Sequence, residues 1–378
     1  MASHSRLAFI DLLRGWALLV MIEVHVFNAF LLPHFRATSW FHVLNFINGL
    51  VAPSFIFISG FVFLLASQKK LESFRTFGWA FWKQLGRIGL IWVVGYCLHL
   101  PFFSFHRTMT EATEAQWLSF FQSDVLHCIA FGLLALFLSR LLIRNDRTYR
   151  IFLFSSGLLV VLTTMFLWDI DFNTWIPAPL AAYLNGKHYS LFPLFPWIAF
   201  MLFGGYFASG YIRAREQQKE KNFILRFALI GAILFMICSI GSELPVHLHI
   251  GSDDVRANPF FFFDRLGIVM LLLTACWFYA DYRKTEKSFV LNVSRESLMV
   301  YAVHLLVIYG RFWNEQSLWF YYGKSFGVWE CIAGTFVLII VMIGAAMIWG
   351  QLKRNHLPLA RVFFWMFSGT ITAWYFMN

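Results

Sequence analysis

Eleven long apolar stretches run through this 378-residue sequence, and they constrain its fold more than any other feature. Each is about as long as the ~20 residues that an α-helix needs to cross a bilayer. With 59% hydrophobic and only 13% charged residues, the composition excludes a soluble globular domain. The sequence therefore predicts an all-α, polytopic integral membrane helical bundle of about 10–11 transmembrane helices. The stretches are 9–31, 44–66, 85–105, 125–143, 151–169, 192–212, 224–242, 263–281, 290–310, 328–350 and 361–377.

The formal net charge of +10 would suit a nucleic-acid partner, but the basic residues are placed as in a membrane protein. If the N-terminus is cytoplasmic, 22 lysines and arginines fall on the cytoplasmic side and 7 on the outer side. Basic residues concentrate in this way on the cytoplasmic side of bilayers. We therefore expect a multi-pass protein of the cell membrane, with the lipid bilayer and no nucleic acid as its partner. The predicted cytoplasmic segments are 67–87, 140–150, 213–226, 282–295 and 353–361.

The long connections all fall on the predicted outer side, at 106–124, 170–191, 243–262 and 311–327. Loops of this size on a rigid scaffold are where an extracytoplasmic acceptor could be held. The five cysteines lie within apolar runs and show no C-x-x-C spacing, so we expect neither a disulfide framework nor a metal site. No internal repeat is visible, which disfavours the repeat architecture of many transporters.

The first apolar stretch is unusual because it carries Asp11, Arg14, Glu23, His25 and Asn28. Ionisable groups inside a membrane are costly, and they persist mainly where they face the interior of a bundle. Arg14 and His25 are eleven residues apart, which places them within about 20° of each other on a helix and about 16 Å apart along it. Asp11 falls about 40° from the same line. One face of this helix is therefore predicted to be polar.

The string DLLRGWALLVMIEVH, from Asp11 to His25, resembles the first transmembrane helix of membrane acyltransferases. It most resembles the heparan-α-glucosaminide N-acetyltransferase catalytic-domain family, which opens with an arginine and a D-x-x-R-G element, here Arg6, Asp11, Arg14 and Gly15. The related acyltransferase-3 family has a functional histidine eleven residues after its arginine, and His25 holds that position. The resemblance implies that His25 is a general base. A histidine that only packs across helices is the alternative.

The heparan-type enzymes also carry a second histidine at the membrane boundary. His34, before Trp40, is the nearest match, with a shift of one or two residues. The resemblance implies that His34 acts on an acceptor at the membrane surface. A solvated loop histidine is the alternative for His34, and also for His42.

The string FWKQLGRIGLIW in the third stretch carries a basic pair, Lys83 and Arg87. The related acyltransferases have a similar pair, usually spaced R-x-x-R, whereas here the spacing is i, i+4 and the first member is lysine. With Arg14, such a pair is implied to bind the phosphates of acyl-CoA. The alternative is ordinary anchoring of a helix end by basic residues.

Two further strings resemble segments of the family. SDVLHCIAFGLLALF opens the fourth stretch with Asp124 and His127. RESLMVYAVHLLVIYG resembles a late N-S-x-x-V-Y-x-x-H element, in which His304 fits the histidine. In this second string Ser297, Tyr301, His304 and Ile308 share one helix face.

With Asp11, Asn28, Asp124 and His127, these polar residues of the late helix are predicted to line a polar cavity shared with His25. His304 would orient the thioester or shape the channel for CoA. A histidine used only for packing is the alternative for His304.

The resemblance implies a single membrane acyltransferase domain over residues 1–378, with a family-like core at 6–245 and additional helices at 246–378. It would move an acyl group, expected to be acetyl, from cytoplasmic acetyl-CoA to an extracytoplasmic saccharide amine or hydroxyl, without a metal. A transporter or permease whose buried charges form a substrate path is one alternative. A membrane protein that only binds a partner is another. Whether the chain forms a homo-oligomer is left open.

Overall fold

The computed structural model describes residues 7–243, 252, 254–283, 288–310 and 317–378. Of the described residues, 84% are helical, and they contain no β-strand beyond one isolated bridge between Leu31 and Phe326. This confirms the all-α prediction. Arg6 of the family-like opening lies outside the described residues, as do parts of the predicted outer connections 243–262 and 311–327.

Eighteen α-helices are formed by the described residues. They are α1 (Ala8–Phe30), α2 (Ser39–Asn48), α3 (Val51–Ser67), α4 (Leu71–Arg75), α5 (Trp79–Leu98), α6 (Phe105–Thr110), α7 (Glu114–Phe121), α8 (Val125–Leu142), α9 (Asp146–Leu167), α10 (Ala178–Ala181), α11 (Leu194–Glu216), α12 (Glu220–Glu243), α13 (Pro259–Arg283), α14 (Phe289–Arg295), α15 (Ser297–Tyr309), α16 (Leu318–Tyr322), α17 (Val328–Asn355) and α18 (Leu357–Met377).

Every one of the eleven predicted stretches contains a helix. By length and apolarity, seven helical segments of the described chain can cross a membrane, or eight if the bent pair α14 and α15 counts as one span. The other three stretches form α1, α5 and α18, of 23, 20 and 21 residues. The number of 10–11 crossings stays a prediction. Helices α1 and α5 are long enough to cross a membrane, but they carry ionisable residues.

The chain divides into two compact units. Unit 1 consists of Met1–Val51, Tyr96–Phe120 and Arg283–Asn378, and unit 2 consists of Ala52–Gly95 and Phe121–Tyr282. Helix α5 is therefore shared between them. The boundary predicted from the sequence, between a family-like core at 6–245 and additional helices at 246–378, is a different division and stays a prediction.

Helix α1 is the centre of unit 1, where it packs against α14, α15 and α17. Gly15 makes the approach to α14 possible, because a Cβ atom at this position would lie 2.5 Å from both the Cγ1 atom and the carbonyl oxygen of Val290. Small residues allow helices to approach closely in membranes. The glycine of the R-G element thus brings the neighbouring Arg14 within reach of α14.

Helices α14 and α15 meet at an angle of 87°, and Glu296 lies at the break. Its carboxylate accepts a 2.5 Å hydrogen bond from the Nζ atom of Lys353 on α17. Because Glu296 is buried, this ion pair supplies the counter-charge that it needs. The bend turns one apolar stretch into two differently directed helices, both of which contact α1.

In unit 2, α11 packs against α8, α9 and α12. A Cβ atom at Gly204 would lie 2.1 Å from the carbonyl oxygen of Phe57, and one at Gly60 would lie 2.0 Å from that of Met201, so the two glycines allow α3 and α11 to touch. Helix α11 begins directly after Pro193, because proline is tolerated at a helix start. Unit 2 is thus built on close contacts that only glycine permits.

Candidate functional site

A closed group of three polar side chains lies at the first turns of α1. The Nη2 atom of Arg14 donates to the Oδ1 atom of Asp11 over 2.7 Å, and its Nε atom donates to the Oγ atom of Ser294 over 2.9 Å. The Oγ atom of Ser294 in turn donates to the same Oδ1 atom over 3.1 Å. Asp11 and Ser294 are buried, and the Arg14 side chain is 17% exposed.

This arrangement compensates the positive charge of Arg14, whose side chain is largely buried. A buried guanidinium without a partner is strongly destabilising, whereas one that is paired and hydrogen-bonded is tolerated. Asp11 is three residues before Arg14 on the same helix, and Ser294 completes the group from α14. The sequence prediction that Asp11 and Arg14 share a face is confirmed by this contact.

A pair of histidines lies further along the same face of α1. The ring centroids of His25 and His304 are 5.3 Å apart, and the Tyr309 ring lies 5.8 Å from that of His25 in an edge-on arrangement. The Tyr301 ring is 5.8 Å from that of His304, also edge-on. His25 is partly buried, whereas His304 is fully buried. Helix α15 therefore brings a second histidine to the polar face of α1.

The hydrogen bonding of His304 defines its tautomer. The Nδ1 atom lies 2.8 Å from the carbonyl oxygen of Val300, which can only accept, so Nδ1 carries the proton. The Nε2 atom then has a lone pair. This atom is buried and has no hydrogen-bond partner among the described residues. A neutral imidazole with an available nitrogen can accept a proton from a neighbouring group.

The predicted face of α15 is largely as expected, since Tyr301, His304 and Ile308 are buried together with Val300. Ser297 is only partly buried, because it is the first residue of the helix after the bend.

On α1, the Asn28 side chain is exposed, and Glu23 lies 3.5 Å from the Nδ2 atom of Asn48 on α2. Glu23 thus faces a different neighbour from His25, as the helical spacing predicts.

His34 lies beyond the end of α1, in the 3-10 helix Pro33–Ala37. It is exposed, and its ring centroid is 4.1 Å from that of Phe35. His42 is also exposed, on α2. Unlike His25, neither of these histidines lies among buried polar groups.

Lys83 and Arg87 are both exposed, one turn apart on α5. Gly86, between them, has no neighbouring atom within 4 Å of an added Cβ, so the surface around the pair is open. Both residues lie in unit 2, whereas Arg14 lies in unit 1. The pair is accessible to a large ligand with phosphate groups.

Asp124 and His127 form the N-terminal cap of α8 in unit 2. The Oδ1 atom of Asp124 accepts hydrogen bonds from the backbone N–H groups of Leu126 and His127, over 2.8 and 3.1 Å, and lies 2.9 Å from the Nδ1 atom of His127. The His127 ring is fully buried and packs against Gly95. Capping of this kind satisfies backbone N–H groups at the helix start. This contact explains how α8 begins, and the role of Asp124 and His127 in a polar cavity stays a prediction.

Residues 6–249 match the family described as heparan-alpha-glucosaminide N-acetyltransferase, catalytic. The match covers about two thirds of the chain. The chain belongs to this family. A comparison with curated proteins found no match. As a member of the heparan-α-glucosaminide N-acetyltransferase catalytic family, it is a multi-pass membrane protein of an acetyltransferase family.

The region that matches the acetyltransferase family contains α1 with Arg14 and His25, but it ends before α14 and α15. His304 and Ser294, which face the polar side of α1, therefore come from the part of the chain beyond the match. The described residues contain no group of three or more side chains suited to hold a metal.

Four residues that contact the candidate site residues on α1 or lie at the bend were not singled out from the sequence. Ser294, Glu296 and Lys353 complete the polar contacts at the first turns of α1 and at the bend, and Tyr309 covers the His25 ring. Ser294 and Glu296 stand inside an apolar stretch, which is a recognisable signal. Lys353 and Tyr309 are typical of helix ends and carry no such signal.

Proposed function

We propose that this protein transfers an acetyl group from cytoplasmic acetyl-CoA to a saccharide amine or hydroxyl on the outer side of the membrane. Membership of the acetyltransferase family supports the reaction class. The observation that carries the site is the His25–His304 pair, with ring centroids 5.3 Å apart on the polar face of α1. The excess of basic residues in the predicted inner connections supports a cytoplasmic N-terminus.

The reaction needs one base. The acceptor nitrogen or oxygen attacks the thioester carbonyl carbon, a C–N or C–O bond forms, and the C–S bond breaks. His25 takes the proton that the acceptor loses, and this proton then passes to the departing CoA sulfur, so that CoA leaves as a thiol. A histidine is suited to both steps, because its ordinary pKa is close to neutral pH.

His304 is proposed as a positioning residue for His25. Its Nδ1–H group is held by Val300, which fixes the orientation of the ring, and its Nε2 atom keeps a lone pair. The Tyr309 ring also contacts that of His25, in an edge-on arrangement. His25 is only partly buried, which leaves part of its side chain accessible to a substrate.

Lys83 and Arg87 of unit 2 are proposed to bind the phosphates of the donor from the cytoplasmic side, and the same role is proposed separately for Arg14 of unit 1. Lys83 and Arg87 suit this role because they are exposed and one turn apart on an open helix face. Arg14 donates to Asp11 and Ser294, and its side chain is 17% exposed, so part of the guanidinium is open to a phosphate of the donor. The long outer connections are proposed to hold the acceptor.

The proposal is tested with the purified full-length protein in lipid nanodiscs and radiolabelled acetyl-CoA. Release of free CoA that depends on a glucosamine-type acceptor, with label in the acceptor, is expected. A transporter or a purely binding protein would release no CoA in this assay. Absence of acceptor-dependent CoA release over a panel of amino sugars and neutral sugars would contradict the proposal.

Variants at two histidines then locate the base. His25→Ala is expected to bind acetyl-CoA and to lose about 10²–10⁴ in transfer rate, as when a general base is removed. His34→Ala is expected to keep most of the rate, since His34 is exposed beyond the end of α1. If His34→Ala abolishes transfer while His25→Ala is almost unaffected, the base is at the membrane boundary and the His25 mechanism is wrong.

A further inference from the structure

Two cations converge on one carbonyl oxygen at the C-terminal end of α1. The Nη2 atom of Arg36 donates to the carbonyl oxygen of Asn28 over 3.0 Å, and the Nζ atom of Lys324 donates to the same oxygen. Arg36 also approaches the carbonyl oxygen of Phe27, at 3.5 Å. All of these residues belong to unit 1.

Within the described part of the chain, no carboxylate forms an ion pair with Arg36 or Lys324. Burial lowers the pKa of the Lys324 ammonium, and the neighbouring Arg36 lowers it further. Like charges held close together oppose each other, so this arrangement calls for an anion.

The backbone fixes Lys324 in this position. Its N–H group donates to the carbonyl oxygen of Ala29 over 3.0 Å, and the N–H group of Phe326 donates to that of Phe30 over 2.8 Å. The N–H group of Leu32 donates back to the carbonyl oxygen of Phe326 over 2.9 Å. Lys324 has a φ angle of 58°, in the left-handed region that is unfavourable for residues with a Cβ atom. A lysine is therefore held at a position that suits glycine better.

Stabilisation of a helix C-terminus explains only part of this arrangement. One cation near the last turn interacts favourably with the helix dipole, and one donor satisfies the free carbonyl group of Asn28. A second cation at the same oxygen adds repulsion. In addition, the Nε atom of Arg36 is buried and has no hydrogen-bond partner among the described residues. Arg36 therefore has a donor that is unused by the protein.

From these contacts we infer that Arg36 and Lys324 form a binding site for an anionic group, of carboxylate, sulfate or phosphate type. Guanidinium and ammonium groups together provide charge and several donors for such oxygens. The site is three residues from His25 along α1, a rise of about 4.5 Å. If the proposed function holds, an acidic group of the acceptor bound here would place its neighbouring sugar near His25. The headgroup of an anionic lipid has the same chemistry.

Binding is measured directly, without catalysis, so the result is independent of acetyl transfer. Purified full-length protein in phosphatidylcholine nanodiscs is titrated with millimolar sodium sulfate at constant ionic strength, and its thermal unfolding is followed. A saturable rise of the unfolding temperature is expected for the wild type, since a ligand of the folded state stabilises it. Arg36→Gln and Lys324→Gln should each weaken the apparent sulfate affinity about tenfold or more.

Two controls make the measurement specific. Lys324→Arg keeps the charge and should keep binding. Arg107→Gln removes an exposed arginine paired with Glu111, so it matches the change in net charge and should bind sulfate like the wild type. If Lys324→Gln does not fold, Arg36→Gln alone decides the outcome.

A second arm uses nanodiscs that contain phosphatidylglycerol. If sulfate has no effect but phosphatidylglycerol stabilises the wild type more than Arg36→Gln, the site binds a lipid headgroup. If sulfate is effective in phosphatidylcholine, the site binds a soluble anionic group. If neither anion distinguishes the wild type from both glutamine variants, the inference is wrong.

Discussion

Replacement of Asp11 by asparagine tests the polar group at the start of α1. The Asp11→Asn side chain has nearly the same shape and can still accept a hydrogen bond from Arg14, but it has no charge. The guanidinium of Arg14, in a largely buried position, would then lose the negative charge of Asp11, with its hydrogen bond to Ser294 intact. We expect a substantial loss of stability from this one change.

The size of the loss follows from the burial. Breaking a buried ion pair by removing one partner costs about 3–5 kcal/mol. Because the Arg14 side chain is still 17% exposed, water can screen part of its charge, and we expect the lower end of this range, about 3 kcal/mol. Ser294→Ala removes one hydrogen bond to a charged group and should cost about 1.5–3 kcal/mol.

The assay is a double-mutant cycle on the free energy of unfolding, measured by titration with SDS in mixed micelles. Arg14→Gln and Asp11→Asn are measured singly and together. Because each single change removes one charge of the same ion pair, the double variant should be more stable than the sum of the single effects by up to about 3 kcal/mol. As a control, Glu111→Gln breaks the exposed pair with Arg107 and should change stability by less than about 1 kcal/mol.

Additive effects within about 0.5 kcal/mol would refute the reasoning, because they would show that Asp11 and Arg14 are not energetically coupled. The same variants separate stability from donor binding. If Arg14 also binds acyl-CoA phosphates, folded Arg14→Gln should show a raised KM for the donor, whereas folded Asp11→Asn should keep the wild-type KM.

Three further predictions concern other parts of the chain. Arg87→Ala should raise the donor KM more than it lowers kcat, because it removes a phosphate-binding charge; an unchanged KM in steady-state kinetics would remove Arg87 from the site. In intact cells Gln218→Cys, in the exposed connection between α11 and α12, should resist a membrane-impermeant maleimide if this connection is cytoplasmic; labelling from outside would contradict the orientation. Hydrogen bonds from Arg256 hold the pKa of Asp254 below its usual 3.8, so the contribution of this pair to stability should be fully present above pH 3.8 and be lost as the pH falls through the lowered pKa. The difference in unfolding temperature between wild type and Asp254→Asn should therefore be constant at neutral pH and shrink below pH 3.8; a difference that grows with acidity would oppose this assignment.

The polar face of α1 could be derived from the sequence because it depends on helical spacing alone. Asp11, Arg14 and His25 fall near one line at 100° per residue, and in the structure Asp11 bonds to Arg14 while the His25 ring lies 5.3 Å from that of His304. The same holds for Tyr301 and His304 on α15. The helical class also follows from the sequence, because a chain in a bilayer must satisfy its backbone hydrogen bonds within each segment.

Other features of the site depend on contacts that no spacing rule describes. Asp124 and His127 look like cavity residues in the sequence, and that role stays a prediction. In the structure they also cap α8, because a helix start has N–H groups that an aspartate can satisfy. The Arg36–Lys324 pair arises because residues near Phe326 bond to the end of α1. In both cases the backbone environment decides how the side chain is used.

The sequence by itself therefore determined which segments are helices and which of their faces are polar, since both properties depend on residues a few positions apart. The tertiary structure decided which polar faces meet. Arg14 and Ser294 are 280 residues apart in the chain, and His304 meets His25 from α15, which follows an 87° bend after α14. Such contacts follow from how helices pack against one another, where a glycine such as Gly15 sets the distance of approach and a buried ion pair lies at the bend.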